Sequence, residues 1–458
     1  MLVLRREQLS LWDAILPEEV RTFNAELTEV SRWLDDERFM EPFVKKFSTH
    51  IGRPTVPVDT YLRLMFLKFR YQLGYETLVA EVQDSITWRL FCRLPLDMAV
   101  PHSTTLIKLT KKYGEKTLEE LNTLLVQKAR RERIIKAKKL RIDTTVVEAD
   151  IKHPTDAGLL ADGVRVISRT VKKIKTAVEK AGENLASFRD RTRTVKTALL
   201  AIGKVLKRRS GEAVKEVRKI TGKLITVAKK TVTEAKTVLE LCKEKSDGRV
   251  ARLTTTLEKF VSATEQVIAQ TEEVQSGNRR IPERLVSLFD PEARPIKKGK
   301  LKSPTEFGRK VILEESEERI IVGFQVLKGN PADNTLLEDS IDRYRKVFHR
   351  PPLAVSTDRG FYSKDNEEML RGKYVRQFAI PKPGKRSAER KQLESSSRFK
   401  RLQKWRAGGE GTIGLLKRKY GLRRSLFRGT LGNNCWVALS ILTYNFTRIA
   451  TLSLEAGS

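Results

Sequence analysis

Apolar and polar positions alternate along this chain in three distinct textures. Over residues 1–130 the period is helical. Between Asp59 and Phe69, Leu62, Met65, Phe66 and Phe69 share one face. Leu78, Val82 and Ile86 continue in a second helix ending near Trp88-Arg89-Leu90-Phe91, with Gly74 between the two. Such a pair is compatible with a helix-turn-helix, and equally with plain packing in an all-α domain. Pro101-His102-Ser103-Thr104-Thr105 caps a further helix, Leu106 to Tyr113, with His102 as a turn residue.

The second texture fills residues 163–276. Ile167, Val171, Ile174, Val178, Ala181, Leu185, Phe188, Val195, Leu199, Ile202 and Leu206 follow one another at steps of four and three, interrupted once by Thr192. After Ser210-Gly211 the seam resumes through Val217, Ile220, Leu224, Val227, Ala235, Val238 and Cys242. Beyond Ser246-Asp247-Gly248 it returns with Leu253, Leu257, Phe260, Val267 and Val274. This heptad pattern predicts three long helices in a coiled-coil bundle, the first on the order of 60 Å long. Its solvated faces are basic, which suits either a rigid stalk or an arm along DNA phosphates.

The third texture is that of strands. Lys139 to Ala149 is rich in Ile, Thr and Val. Arg284–Phe289, Gly308–Leu313 and Arg319–Val326 read as three more strands. A turn at Gly329-Asn330-Pro331-Ala332-Asp333 leads to a helix from Leu336 to Phe348, then the strand Leu353–Thr357, a helix near Asn366–Arg371 and the strand Val375–Ile380. This is an α/β succession lacking its first strand, which Lys139–Ala149 supplies. The expected architecture is therefore an α/β RNase H-like catalytic domain split into 138–162 and 277–458. The helical bundle 163–276 is inserted into it, and an all-α domain, 1–130, precedes it. Ser387 to about residue 407 is polar and basic, and helix returns at Gly411–Tyr420 and Asn433–Thr451. The apolar stretch Cys435–Phe446 is too short to span a bilayer and is expected to be a core helix.

Charge narrows the function. Ninety Lys and Arg against 57 Asp and Glu give a formal charge of +33 on 458 residues. That points to a polyanionic partner, nucleic acid before a membrane surface. Cys92, Cys242 and Cys435 are few and far apart, and His50, His102, His153 and His349 form no ligand pair. A disulfide framework and a zinc site are both disfavoured, and a reducing, cytoplasmic setting at the nucleoid is expected.

The chemistry lies in scattered acids. Asp143 sits inside the first strand, Asp358 just past another, and Glu410 ahead of a C-terminal helix. An acid within a core strand is costly unless its charge is paired. Asp150, Asp156 and Asp162 stand in turn or cap contexts and rank below Asp143. Brought together, Asp143, Asp358 and Glu410 would form an oxygen-donor site for two Mg²⁺ or Mn²⁺ ions, as in phosphoryl transfer on nucleic acid. Gly409-Glu410-Gly411-Thr412-Ile413-Gly414 fits G-x-G-x-x-G, but it follows a basic amphipathic stretch rather than an apolar strand, which rejects a dinucleotide site.

Several stretches resemble DDE-class insertion-sequence transposases of the ISNCY type with an InsH-like N-terminal domain. They are Gly52-Arg53-Pro54 through Cys92-Arg93-Leu94, Asp143-Thr144-Thr145-Val146-Val147, His153 to Leu160, Phe289 to Ile296, Glu306-Phe307-Gly308, Gly329 to Asp333, Asp358-Arg359-Gly360 and Trp405 to Gly411. The resemblance implies Asp143, Asp358 and Glu410 as catalytic and metal-holding acids. It also implies binding of terminal inverted repeats through residues 1–130, and at least a dimer when two ends are paired. Arg406, Glu410 and Lys417 match the family's Tyr-x2-Arg-x3-Glu-x6-Lys signature, with Gln403 at the Tyr position. Arg406 and Lys417, with Arg359, Arg423 and Arg424, are the expected DNA contacts. The expected reaction is cleavage at the element's ends followed by joining of the freed 3′-OH to target DNA. The alternatives are a catalytically silent repressor derived from a transposase, and a stand-alone nuclease of the same fold.

Overall fold

The computed structural model describes residues 1–5, 15–47, 52–179, 187–208, 210–242, 248–278, 280–297 and 305–457. The chain divides into two units, Met1–Asp150 with Arg309–Ser458, and Ile151–Gly308. The second unit is wider than the 163–276 segment read from the heptads.

In the first unit, helices and sheet share one apolar core. Helix α1 (Ala25–Leu34) is capped by Asn24, whose side chain accepts from Leu27 N. Helix α2 (Val58–Arg70) is buried at twelve of its thirteen positions, including Asp59, Arg63 and Lys68. Arg63 Nε donates to Asp59 Oδ1 at 2.8 Å, and Arg93 stands 2.8 Å from Asp59 Oδ2, so the buried charges of Asp59 and Arg63 are paired. Helix α3 (Tyr75–Asp84) buries only Leu78 and Val82. It ends at Ser85, whose hydroxyl caps a separate short helix, α4 (Ile86–Phe91). Exposed positions of α3 hold Glu76, Glu81 and Asp84. The would-be recognition helix of the α2–α3 pair therefore presents acids, which repel phosphate. Helix α5 (Ser103–Arg131) starts at the predicted cap, His102, and bends at Gly114, whose φ of 75° only glycine adopts cheaply.

The sheet runs β2-β3-β1-β5-β6, with β4 also paired to β3 and β7 to β1. Its strands are β1 (Lys139–Ala149), β2 (Arg294–Lys297), β3 (Thr305–Ser316), β4 (Ile321–Val326), β5 (Ala354–Thr357), β6 (Gln377–Ala379) and β7 (Arg424–Ser425). Pairs β2/β3 and β3/β4 are antiparallel, while β1/β5, β5/β6 and β1/β7 are parallel. A mixed sheet with many helices is compatible with an RNase H-like DDE domain.

In the second unit, helices α6 (Asp156–Glu179), α7 (Thr192–Leu206), α8 (Gly211–Cys242) and α9 (Gly248–Ser276) pack around Ile167, Val171, Ile174, Leu224, Val238, Leu257 and Val267. The predicted first helix is thus two helices. Asp190 Oδ1 accepts from Thr192 N and restarts the chain there, so the interruption seen at Thr192 is a helix start; Ala181 and Leu185 lie outside the described residues. Buried Thr231, Thr264 and Thr271 return their hydroxyls to the carbonyls four residues back, which satisfies them inside an apolar seam. Gly163 lets α6 approach α9: a Cβ there would fall 2.6 Å from Thr264 Oγ1.

One expected strand is absent. Arg284–Phe289 is extended but pairs with no strand: Leu285 exchanges both backbone bonds with the side chain of Gln270 on α9. Its apolar residues fill the helical core instead, with Leu285 and Leu288 buried there.

After β4 the first unit continues with α10 (Leu337–Phe348), α11 (Lys364–Gly372), α12 (Ala388–Ser395), α13 (Ser397–Ala407), α14 (Gly409–Lys419) and α15 (Gly429–Gly457). Helices α12 and α13 occupy the segment read only as polar and basic. Each begins at a serine, Ser387 and Ser396, whose side chain accepts from the third residue on. Helix α15 is long and apolar enough to cross a membrane by composition, yet most of it is buried within the protein. Fully buried Asn445 bonds both backbone groups of Ile321 on β4 and the side chain of Asn122 on α5, as befits a core helix.

Candidate active site

Parallel pairing builds the site. Strands β1 and β5 are in register Lys139↔Ala354 through Ile142↔Thr357. The next residues along are Asp143 and Asp358, so two carboxylates leave neighbouring strands side by side, roughly one strand spacing (~4.8 Å) apart. They stand at the carboxyl end of β5, where open sheets bind their ligands. Burial pushes the Asp143 carboxyl above its usual range; the Arg406 guanidinium opposes this and the Asp358 charge adds to it. Asp143 Oδ1 also accepts from Thr144 N at 2.8 Å, and Asp358 Oδ1 accepts from Gly360 N at 2.9 Å.

A further acid, outside the predicted set, stands beside them in the turn before α10. Asp333 Oδ1 accepts from Thr144 Oγ1 at 3.1 Å and lies 2.7 Å from Lys310 Nζ. A Cβ on Gly360 would come within 3.0 Å of Asp333 Oδ2 and 3.2 Å of Asp358 Oδ1, so the glycine lets the two acids close on one another. From sequence alone Gly329–Asp333 is a turn. The signal that it held an acid of the site was its presence among the stretches of family resemblance.

Helix α13 covers the face of β1 that displays Arg141 and Asp143, two residues apart and so on one side. Arg406 Nη2 donates to Asp143 Oδ2 at 2.8 Å, while its buried Nε has no acceptor among the described residues. Arg141 donates to Trp405 O at 2.8 Å and forms a two-pronged pair with Glu315 of β3, whose other partner is Thr412 of α14 at 2.7 Å. This bracket grips the α13–α14 junction, where Gly408 and Gly409 admit the guanidinium: a Cβ on either would lie 3.1 Å from Arg141. Gln403, at the signature's Tyr position, donates to Ala379 O at 2.8 Å and Thr357 O at 3.1 Å, tying α13 to the ends of β5 and β6.

Glu410 sits in the first turn of α14, one turn beyond Arg406, and is exposed. The structure brings Asp143 and Asp358 together with Asp333. Among the described residues no three His, Cys, Asp or Glu side chains converge closely enough to hold a metal ion. Arg359 is exposed beside Asp358; Lys417, Arg423 and Arg424 lie farther along α14 and the loop after it. Asp156 is held by Arg284 and Asp162 pairs with Arg165, so neither belongs to this site. The donor set suits a hard divalent cation: oxygen ligands only, with two facing carboxylates opposed by a single guanidinium.

A mixed sheet carrying paired acids, one inside β1 and one just past β5, is compatible with an RNase H-like DDE domain. Comparison with known proteins agrees. Residues 15–112 match the family described as Transposase domain (DUF772), and residues 278–446 match the Transposase DDE domain. The chain belongs to the DDE-type insertion-sequence transposases and is an enzyme of that kind. Asp358 and Glu410 fall inside the second match; Asp143 lies between the two. The chain is also similar to the uncharacterized protein ORF8 in the nfe locus of Rhizobium meliloti, 29% identical over 146 residues, which covers 30% of this chain and 68% of that one. No solved structure matches.

Proposed function

We propose that this transposase, of the ISNCY type, binds the terminal inverted repeats of its element, cuts at their ends and joins the freed 3′-OH to target DNA. The observation that carries this reading is the register that sets Asp143 and Asp358 level on β1 and β5. Glu410 is the third acid, one helical turn from the Arg406 that already grips Asp143. On this reading the catalytic domain is split, 138–162 and 277–458, around a coiled-coil insertion at 163–276. End recognition belongs to residues 1–130, through surfaces other than the acidic α3.

Two Mg²⁺ or Mn²⁺ ions, held by Asp143, Asp358 and Glu410, would supply activation of the attacking oxygen and stabilisation of the leaving one. The chain's own residues do the rest. The Arg141–Glu315 bracket fixes the helix junction, Gln403 fixes α13, and Arg406 orients the Asp143 carboxyl and opposes the upward push that burial gives its pKa. In cleavage, a water oxygen bonds to phosphorus, the bond from phosphorus to the 3′ oxygen breaks, and that oxygen takes up a proton. In joining, the 3′ oxygen bonds to a target phosphorus and displaces the target's own 3′ oxygen. One site serves both in-line steps. The protein works on DNA in the cytoplasm at the nucleoid, as a dimer or larger assembly on paired ends.

The test is to incubate protein, terminal-repeat DNA, a plasmid and Mg²⁺. Joined products are expected. Nicks without joining would make it a nuclease, and binding without nicking a repressor.

A further inference from the structure

Helix α2 and the loop after α14 enclose a cavity of about 350 Å³. Of its eleven lining residues, Lys68, Lys417, Arg418, Arg423 and Arg424 are cationic and none is acidic. Its apolar wall is Phe69, Leu73, Leu426 and Trp436. We propose that this cavity binds one backbone phosphate of the DNA strand that runs along α14 from the reacting acids. The proposal rests on the DNA-cutting function above and adds a contact to it.

Lys68 points to the ligand. It is 3% exposed, deep in the core of a basic protein. Its ammonium donates to Leu73 O at 2.8 Å and otherwise faces the rings of Tyr75, Trp436 and Phe69 at 4.8, 5.0 and 5.1 Å. Ring faces and one carbonyl do not neutralise a cation, and no carboxylate pairs with it among the described residues. Burial pushes its pKa down to about 8, which an anion in the cavity would reverse.

The cavity is built in advance. Gly421 turns with φ of 75°, and a Cβ there would meet the Trp436 ring at 3.1 Å. Trp436 Nε1 donates to Gly421 O at 2.8 Å, and Gln72 donates to Arg418 O at 2.9 Å. Pairing of β7 with β1 holds the exposed Arg424 at the rim. A duplex is too wide to enter a space this small, whereas a phosphate with its sugar fits. Lys417 follows Glu410 by seven residues, about 10 Å along the helix. The phosphate held here is therefore a near neighbour of the one that is cut, not that phosphate itself.

The experiment measures binding of full-length protein to fluorescent terminal-repeat duplex across a salt series. Lys68→Met, close to the lysine stem in shape, is compared with an Arg423→Ala/Arg424→Ala variant at exposed positions. Each should flatten the log–log salt slope, by about 0.9 for Lys68→Met. With a single methylphosphonate placed in turn at each phosphate near the cut, one position should weaken wild type and leave Lys68→Met unchanged. If wild type binds DNA but both variants keep its slope, the cavity does not hold a DNA phosphate. If inorganic phosphate raises the Tm of wild type alone while the slopes stay equal, the site takes free phosphate and the proposal is overturned. Failure of wild type to bind any DNA would remove the proposed function along with it.

Discussion

The guanidinium of Arg406 bonds the Asp143 carboxylate at 2.8 Å across the interface of α13 and β1. A residue the family signature sets among the DNA contacts is thus also the counter-charge of the acid it flanks. The positive charge at Asp143 comes from the chain itself, and it stands on the helix that leads to Glu410.

Replacing Arg406 by Ala should leave Asp143 and Asp358 facing each other without relief. Stability without metal is expected to fall by about 1–3 kcal/mol, the range for a hydrogen bond to a charged group. Mg²⁺ should then raise the Tm of the variant more than that of wild type. Equal Mg²⁺ effects would remove Arg406 as the counter-charge.

Asp143→Asn, Asp358→Asn and Glu410→Gln should each reduce nicking of terminal-repeat DNA by about a thousandfold or more, with binding retained. A variant that still nicks at the wild-type rate takes that residue out of the catalytic set.

The Arg141–Glu315 pair is buried on both sides. Glu315→Gln strands the guanidinium, and urea unfolding should show a loss of about 3–5 kcal/mol. Arg141→Met with Glu315→Leu should lose far less, because neither charge then remains. If the double variant is as unstable as the single, the bracket acts through packing alone.

Lys68 predicts a pH dependence of opposite sign to an ordinary salt bridge. The folded group titrates near 8 and the unfolded one near 10.5, so between those values the unfolded chain binds more protons. Stability relative to Lys68→Met should therefore rise across that window, by roughly 3 kcal/mol in all, with the burial cost fully present below pH 8. Burial raises Tyr75 and Tyr113, which oppose this only above pH 10 and cancel in the difference. A flat difference from pH 8 to 10.5 would mean that Lys68 has a buried anionic partner.

Much of this was legible from local pattern. Strand β1 announced itself through β-branched residues, and the breaks at Ser210-Gly211 and Ser246-Asp247-Gly248 precede the starts of α8 and α9. Asp143 stood out because an acid inside a core strand demands a partner. Arg284–Phe289 misled because an apolar extended run has the same period whether it bonds to a strand or, as here, to Gln270 of a helix. Helices α12 and α13 were missed because too few apolar residues mark a face among their Arg and Lys: α12 buries Arg390 alone, and α13 buries only Phe399 and Leu402.

The amino-acid order by itself determined most of the helices and strands, where the charge lies and which acids stand out, since those depend on neighbours within a turn or a strand. The level placement of Asp143 and Asp358, the closing of Asp333 across Gly360 and the bond from Arg406 to Asp143 were decided only by the tertiary structure. They depend on parallel strand register and helix docking between residues as many as 263 positions apart, and no local periodicity encodes such pairings.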